Sequence, residues 1–137
     1  MASITVTAAN VRPLTGAIVR RYTAGEALAP GQPVYLSAAK TATRADGSAV
    51  ATLIPFLGIV VADQYGNTTI PSGGEVDVVV FGPVAGPSGM TAGGLVYVSD
   101  TVGEITHVAG EATKDMVVGF AEQTTVLFVR PQIVDFS

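Results

Sequence analysis

One phrase occurs twice in this chain. Residues 31–37 read GQPVYLS and residues 93–99 read GGLVYVS. A second pair lies downstream of each, PFLGIVVAD at 55–63 and MVVGFAEQ at 116–123. The glycines that open the first pair lie 62 residues apart (Gly31 and Gly93), and those inside the second pair lie 61 apart (Gly58 and Gly119). Two phrases in the same order at nearly the same spacing predict two related structural units. The shared residues are glycine, valine and tyrosine, which suit strands and tight turns. Tyr35 and Tyr97 are expected at equivalent positions, each with its ring on apolar surface and its hydroxyl at a wet edge.

The rest of the chain reads the same way. Sixteen glycines and eight prolines punctuate it, and no window shows helical periodicity beyond one turn at 110–115. Strands are expected over 3–8, 17–23, 33–37, 56–62, 75–81, 95–99, 105–108, 117–121 and 125–129. The segment 38–50 reads as small and polar, with Asp46-Gly47 as a turn. The segment 64–74 reads as a loop, and GPVAGPSG at 82–89 as a proline-glycine corner. Each half is strand, hairpin, buried strand, return strand. The expected fold is all-β, a small sandwich or barrel made of two related strand sets, with an extended N-terminal arm. The arm covers residues 1–16. A single β domain covers 17–137, with repeats at about 27–82 and 89–131. The apolar tail from Pro131 to Ser137 is expected to pack on a neighbour.

With 137 residues the chain suits one domain. It has no cysteine, which excludes disulfides and thiolate metal sites. Charged residues make up 13% and apolar residues 48%, yet no apolar run approaches a membrane helix. The first residues, MASITVTAANVRP, carry neither the charged nor the apolar region of a secretory leader. A chain so poor in charge is expected to bury surface against other subunits or a partner. A net charge of −4 argues against nucleic acid. The basic residues are scattered, and Arg20-Arg21 is the one adjacent pair.

Chemistry is sparse. His107 is the one histidine, and no Gly-x-Ser-x-Gly elbow accompanies it, so it reads as a strand-surface residue. The carboxylates Asp63, Glu75, Asp77, Asp100, Glu104, Glu111, Asp115 and Glu122 mostly sit in turn-like contexts. Asp63 and Glu122 nearly match across the repeat, as a polar strand end. No oxygen cluster suits a cation, and Ser72-Gly73-Gly74-Glu75 lacks the lysine and helix of a phosphate loop. No catalytic residue, cofactor or metal is expected.

The order of these segments also carries a family resemblance. APGQPVYL (29–36), FLGIV (56–60), VDVVVFGPVAG (76–86), TAGGLVYVS (91–99), GEIT (103–106), VVGFA (117–121) and TTVLFVRP (124–131) together resemble the capsid cement, or head decoration, proteins of tailed bacteriophages. The similarity covers roughly residues 18–131. It implies a small all-β virion protein, not an enzyme, on the outer surface of an icosahedral head. There it would bind the major capsid protein and brace the expanded shell. It also implies self-association, as a homotrimer at threefold positions or as a dimer across capsomer boundaries, with neither membrane nor nucleic acid as partner. The N-terminal segment, outside the repeats, is expected to add as an edge strand to the capsid or to a neighbour, leaving the domain folded without it. The interface residues expected on this reading are Ile4, Val6, Val11 and Arg12 of the arm, with Arg20 and Arg21. The alternative is a fibre or spike module that binds host glycan, which would need exposed aromatics along a groove. A small trimeric β-fold hydrolase is a third reading, and would need clustered aspartates beside a serine or tyrosine.

Overall fold

A computed structural model describes residues 4–49, 52, 55–62, 67–107 and 114–135. Among them the chain is almost wholly β, in a curled antiparallel sheet that forms a half-barrel. The strands are β1 (Thr5–Val6), β2 (Arg12–Pro13), β3 (Ile18–Thr23), β4 (Pro33–Leu36), β5 (Ala42–Arg44) and β6 (Phe56–Val61). They continue with β7 (Glu75–Ala85), β8 (Pro87–Ser88), β9 (Leu95–Val98), β10 (Ile105–Thr106), β11 (Lys114–Gln123) and β12 (Val126–Asp135). One 3-10 turn, Ala8–Asn10, separates β1 from β2.

The main sheet runs β10-β9-β11-β12-β7-β6-β4-β5, so the two repeats appear as β5-β4-β6-β7 and β10-β9-β11-β12. Their pairing matches residue for residue. Val34 opposes Gly58 and Tyr35 opposes Phe56, which leaves Leu57 as an extra residue. Val96 opposes Gly119 and Tyr97 opposes Val117, which leaves Val118 as the extra residue. Both units therefore carry the same β-bulge at the same place. A Cβ on Gly58 would fall on the carbonyl oxygen of Val79, and one on Gly119 on that of Phe128. The next strand lies too close for any side chain there, which is why both phrases hold glycine. The opening turns match as well: Gln32 N–H donates to the Ala29 carbonyl at 3.3 Å and Gly94 N–H to that of Thr91 at 2.9 Å. The third residue of each turn, Gly31 or Gly93, sits at φ +97° or +84°, a conformation glycine adopts without strain.

Two cores result. The central one holds Ile59, Val61 and Val79 of the first unit against Val96, Val98, Ile105, Val118, Ala121, Leu127 and Val129 of the second. The outer one holds Val34, Ala42, Val60, Val76 and Val78 beneath Ala24, Leu28 and Ile70. Leu28 and Ile70 exchange backbone hydrogen bonds of 2.8 and 2.7 Å, so the segments flanking the first unit close over it. Corresponding residues occupy successive layers. Leu28, Val34, Ala42, Val60 and Val78 line the outer core, while their counterparts Met90, Val96, Ile105, Ala121 and Leu127 line the central one. The units are stacked the same way up, the underside of the first on the upper side of the second. Strand β7 serves both layers: β6 pairs with its residues 77–79 and β12 with residues 82–85.

Four expectations change. The segment 82–89 is no corner: Gly82-Pro83-Val84-Ala85 continue β7 as it steps between layers, and the Pro83 carbonyl accepts the Leu14 N–H at 2.9 Å. A strand forms at 42–44 inside the stretch read as polar, because Ala42 is buried and Arg44 is held by Glu26. Lys114 and Asp115 belong to a strand and not to a helical turn, while residues 110–113 lie outside the described residues. The tail from Pro131 to Asp135 extends β12, pairing with its own β11 at 114–117.

Candidate interaction surface

The N-terminal segment is extended, but it lies on its own domain. β1 pairs with β8 and β2 with β7. Val11 is wholly buried, and its carbonyl accepts the Ala62 N–H at 3.0 Å. Ile4 is buried in the central core and Val6 packs against it. These three were expected at a partner interface, and here they are intramolecular packing. The reason is physical: Ile4 and Val11 find a dry site within reach, with Val6 half-buried beside them, and burying the two stabilises the domain by about 1.5–3 kcal/mol each. Arg12, by contrast, is exposed on β2.

Arg20 and Arg21 are exposed on β3, which pairs with β7 alone among the described residues. Arg21 Nε donates to Asp77 Oδ1 at 3.0 Å, and its Nη1 lies 3.5 Å from Glu75 Oε2. The hydrogen bond from Arg21 to Asp77, then the charges of Asp77 and Glu75, hold the guanidinium pKa above its ordinary value. Arg20 lies over the Tyr22 ring, 5.9 Å from its centroid. Arg12 and the Arg20-Arg21 pair thus lie along one edge of the sheet, seven residues of β7 apart, because β2 and β3 run along the same side of that strand.

Several other polar groups are engaged in structure. Thr91 N–H donates to His107 Nε2 at 3.0 Å. That nitrogen is therefore unprotonated, and Nδ1–H donates to the Leu95 carbonyl at 2.7 Å. Both ring nitrogens hold the second repeat's opening turn, which leaves none to act as a base. Asp46 accepts from Ser48 N–H and Oγ–H at 2.8 and 2.6 Å, a local turn. Glu26 accepts from the Arg44 backbone N–H and Nη2 at 2.9 and 3.1 Å. Burial alone would raise the Glu26 pKa, but the hydrogen bonds and charge of Arg44 outweigh it and hold the carboxyl below its ordinary value. Glu104 and Glu122 are exposed, and Asp63 and Glu111 lie outside the described residues. Among the described residues no three carboxylates or imidazoles gather to hold a metal.

What sequence reasoning missed is an apolar stripe. Phe120 opposes both Phe128 on β12 and Leu95 on β9, Phe128 opposes Pro83 on β7, and Ile18 opposes Phe81. Directly opposed residues share a face of the sheet. The Phe120 and Phe128 rings stack at 5.2 Å, and Phe81 meets Phe128 edge-on at 5.3 Å. Ile18, Leu95 and Phe81 are 53%, 50% and 43% exposed. The row crosses five strands on the open underside of the second unit. One signal did stand in the sequence: where the first unit has Ile59 and Val79, the second has phenylalanines. No protein-family model matches this chain, and no curated protein matches it in sequence.

Proposed function

We propose that this chain is a structural virion protein that decorates the outer surface of an icosahedral phage head and stabilises the expanded shell by adding buried interface. The observation that supports the reading best is the division of the surface. The polar groups described above serve turns and ion pairs, while an apolar stripe and a strand edge bearing Arg12 and Arg20 stay open to solvent. A protein whose task is to be bound needs a rigid scaffold and exposed contact faces, and needs no reactive group. Standard protein interfaces bury about 1,600 Å² in total, and repetition over a lattice multiplies modest contacts. The order of the segments at 29–36, 56–60, 76–86, 91–99, 103–106, 117–121 and 124–131 supports the decoration family in particular.

Arg12 and Arg20, which form no ion pair among the described residues, are the part of this edge suited to an acidic patch of the major capsid protein, while Arg21 is already paired with Asp77 and Glu75. With Ile4 and Val11 committed to the core, the N-terminal segment contributes through Arg12 and not as a released strand. The test is co-sedimentation of the purified protein with expanded, undecorated phage heads, followed by imaging. Saturable binding, with added density at symmetry-related positions outside the shell, is the expected result. Heads that sediment bare would overturn the reading.

The exposed rings raise the glycan-binding alternative again. A sugar platform pairs an aromatic face with polar groups that fix the hydroxyls. Here the row is Ile18, Phe81, Pro83, Phe128, Phe120 and Leu95, with no polar side chain within it. A glycan array that returns a single strong class would favour the alternative.

A further inference from the structure

We infer that the outer edge of β3 accepts an extended acidic segment of a partner protein as an added strand. Here the domain receives a strand, whereas the N-terminal segment was expected to donate one. The inference concerns this edge alone and does not depend on the decoration reading. Which backbone groups face outward follows from the neighbouring hydrogen bonds. Ala24 N–H donates to the Gly74 carbonyl at 2.8 Å, and the Ala24 carbonyl accepts Gly73 N–H at 2.8 Å, so Ala24 faces the β7 side. Backbone groups alternate along an antiparallel strand, so Tyr22 and Arg20 bond β7 at Val76 and Val78. The far side of β7 agrees. Val60 bonds Gln32 and Gly31, which turns its neighbours Ile59 and Val61 toward Val79 and Asp77. Val78 and Val76 are thereby left for β3. Val19 and Arg21 therefore turn their N–H and carbonyl groups outward.

This outer side already pairs further along. Ala24 bridges Ala42, and Gly25 N–H donates to the Ala42 carbonyl at 2.9 Å. Before that point no strand lies beside β3 among the described residues. Other edges are short or blunted: β5 and β10 hold three and two residues, and β2 ends in Pro13. β3 offers six residues without proline. Arg21, a charge that could guard the edge, is drawn back to Asp77 and Glu75 on β7. The side chains define the occupant. Arg20 is exposed and makes no ion pair among the described residues, so an acidic residue is called for opposite it. Arg21 is already offset by two carboxylates and calls for a neutral residue. Val19, 42% exposed, calls for an apolar one. Every pairing in the main sheet is antiparallel. In that sense the added strand reads neutral, acidic, apolar, with backbone hydrogen bonds supplying affinity and Arg20 supplying selectivity.

The probe is a short peptide, acetylated and amidated, with Thr-Glu-Val at its centre and threonines on either side. It is titrated into the full chain labelled with nitrogen-15, and amide shifts and amide exchange are read by NMR. Saturable shifts centred on β3 are expected, with a Kd on the order of 0.1–1 mM. In the free chain the Val19 and Arg21 amides should exchange at least about tenfold faster than those of Arg20 and Tyr22. Bound peptide should slow them. N-methylation of the threonine or valine flanking the glutamate should abolish binding, while N-methylation of the glutamate should change it by no more than about twofold, since its N–H points away from β3. A lysine in place of the glutamate should bind about tenfold more weakly, and Arg20→Glu should reverse that order. Val19→Pro should block the peptide and leave the fold intact, because the Val19 N–H lies outside the β3–β7 ladder. If that variant fails to fold, the methylated peptides and Arg20→Glu decide the matter. The inference is overturned by β3 amides that do not respond, by equal binding of the glutamate and lysine peptides, or by indifference to methylation. Val19 and Arg21 amides already protected in the free chain would also overturn it, since the edge would then be covered by the chain itself or by a second copy.

Discussion

Leu28 and Met90 stand at corresponding places ahead of the repeated phrase, yet they close different spaces. Leu28 seals the outer face of the first unit together with Ile70. Met90 fills the central core between the units. The first unit is covered on both faces, above by its flanking segments and below by the second unit. Among the described residues the second is covered above only. Nearly the same backbone, bulge for bulge, thus carries two burial patterns, and what differs is which neighbour lies against each face. A repeated sequence sets strand pairing locally, while the fate of each face is decided by the stack.

The comparison can be broken most severely at the shared bulge. Gly58→Val and Gly119→Val should each destabilise the fold by about 5 kcal/mol or more, because the new side chain meets a neighbouring strand's backbone. Urea unfolding of both variants checks it, and a large loss in one alone would show that the units are not equivalent. Removing residues 2–13 comes next. The loss of Ile4 and Val11 from the central core should lower stability by roughly 3–6 kcal/mol, read as a fall in the urea midpoint. A truncated chain of unchanged stability would return the segment to the status of a free arm.

The faces themselves are contrasted by paired truncations of one residue type. Leu28→Ala should cost about 2–5 kcal/mol, since it opens a cavity under the first unit's cover. Leu95→Ala, half-exposed on the second unit's open face, should stay within about 0.5 kcal/mol in the monomer. Equal costs at the two sites would mean that the second face is covered too.

A further small effect concerns pH. The ion pair of Glu26 and Arg44 ties the first unit's cover to β5, and its carboxyl titrates below the ordinary value of 4.5. A depressed carboxylate stabilises the fold above its unfolded pKa, and that contribution is lost as pH falls through the folded value. Stability should therefore decline below about pH 4.5, by about 1 kcal/mol at most because the pair is one-third exposed and screened by salt. Comparing melting of the parent chain and Glu26→Gln from pH 7 to pH 3 isolates the contribution.

The strands at 18–23, 33–36, 56–61 and 95–98 were legible because β-branched runs between glycines announce themselves. The repeat was legible too, and with it the fold class. The strand at 42–44 was not, because Thr43 and Arg44 are polar and their strand is held by Glu26, eighteen residues earlier. The length of β7 was hidden by Gly82-Pro83, which reads locally as a stop and serves here as a step between layers. The apolar stripe escaped notice for a different reason. VVGFA and VLFV have the composition of buried strands, and nothing local says that Phe120 and Phe128 look outward. Nor did Val11 announce that it belongs to the core, since one valine beside a proline-linked turn carries no period.

The double membership of β7 governs how the chain is built. Its residues pair with Arg12 and Pro13 at one end of the sequence and with Val126–Val129 at the other. Neither layer is complete without it, so the chain should unfold as one cooperative unit, with coincident urea transitions by different probes. Its decisive contacts join residues far apart in sequence, which places the chain among slow-folding β topologies. During synthesis β7 emerges before any strand of the second unit. Its segment 82–85 is then an unpaired edge until β12 arrives, and for that interval it is the part of the chain most open to pairing with the wrong strand.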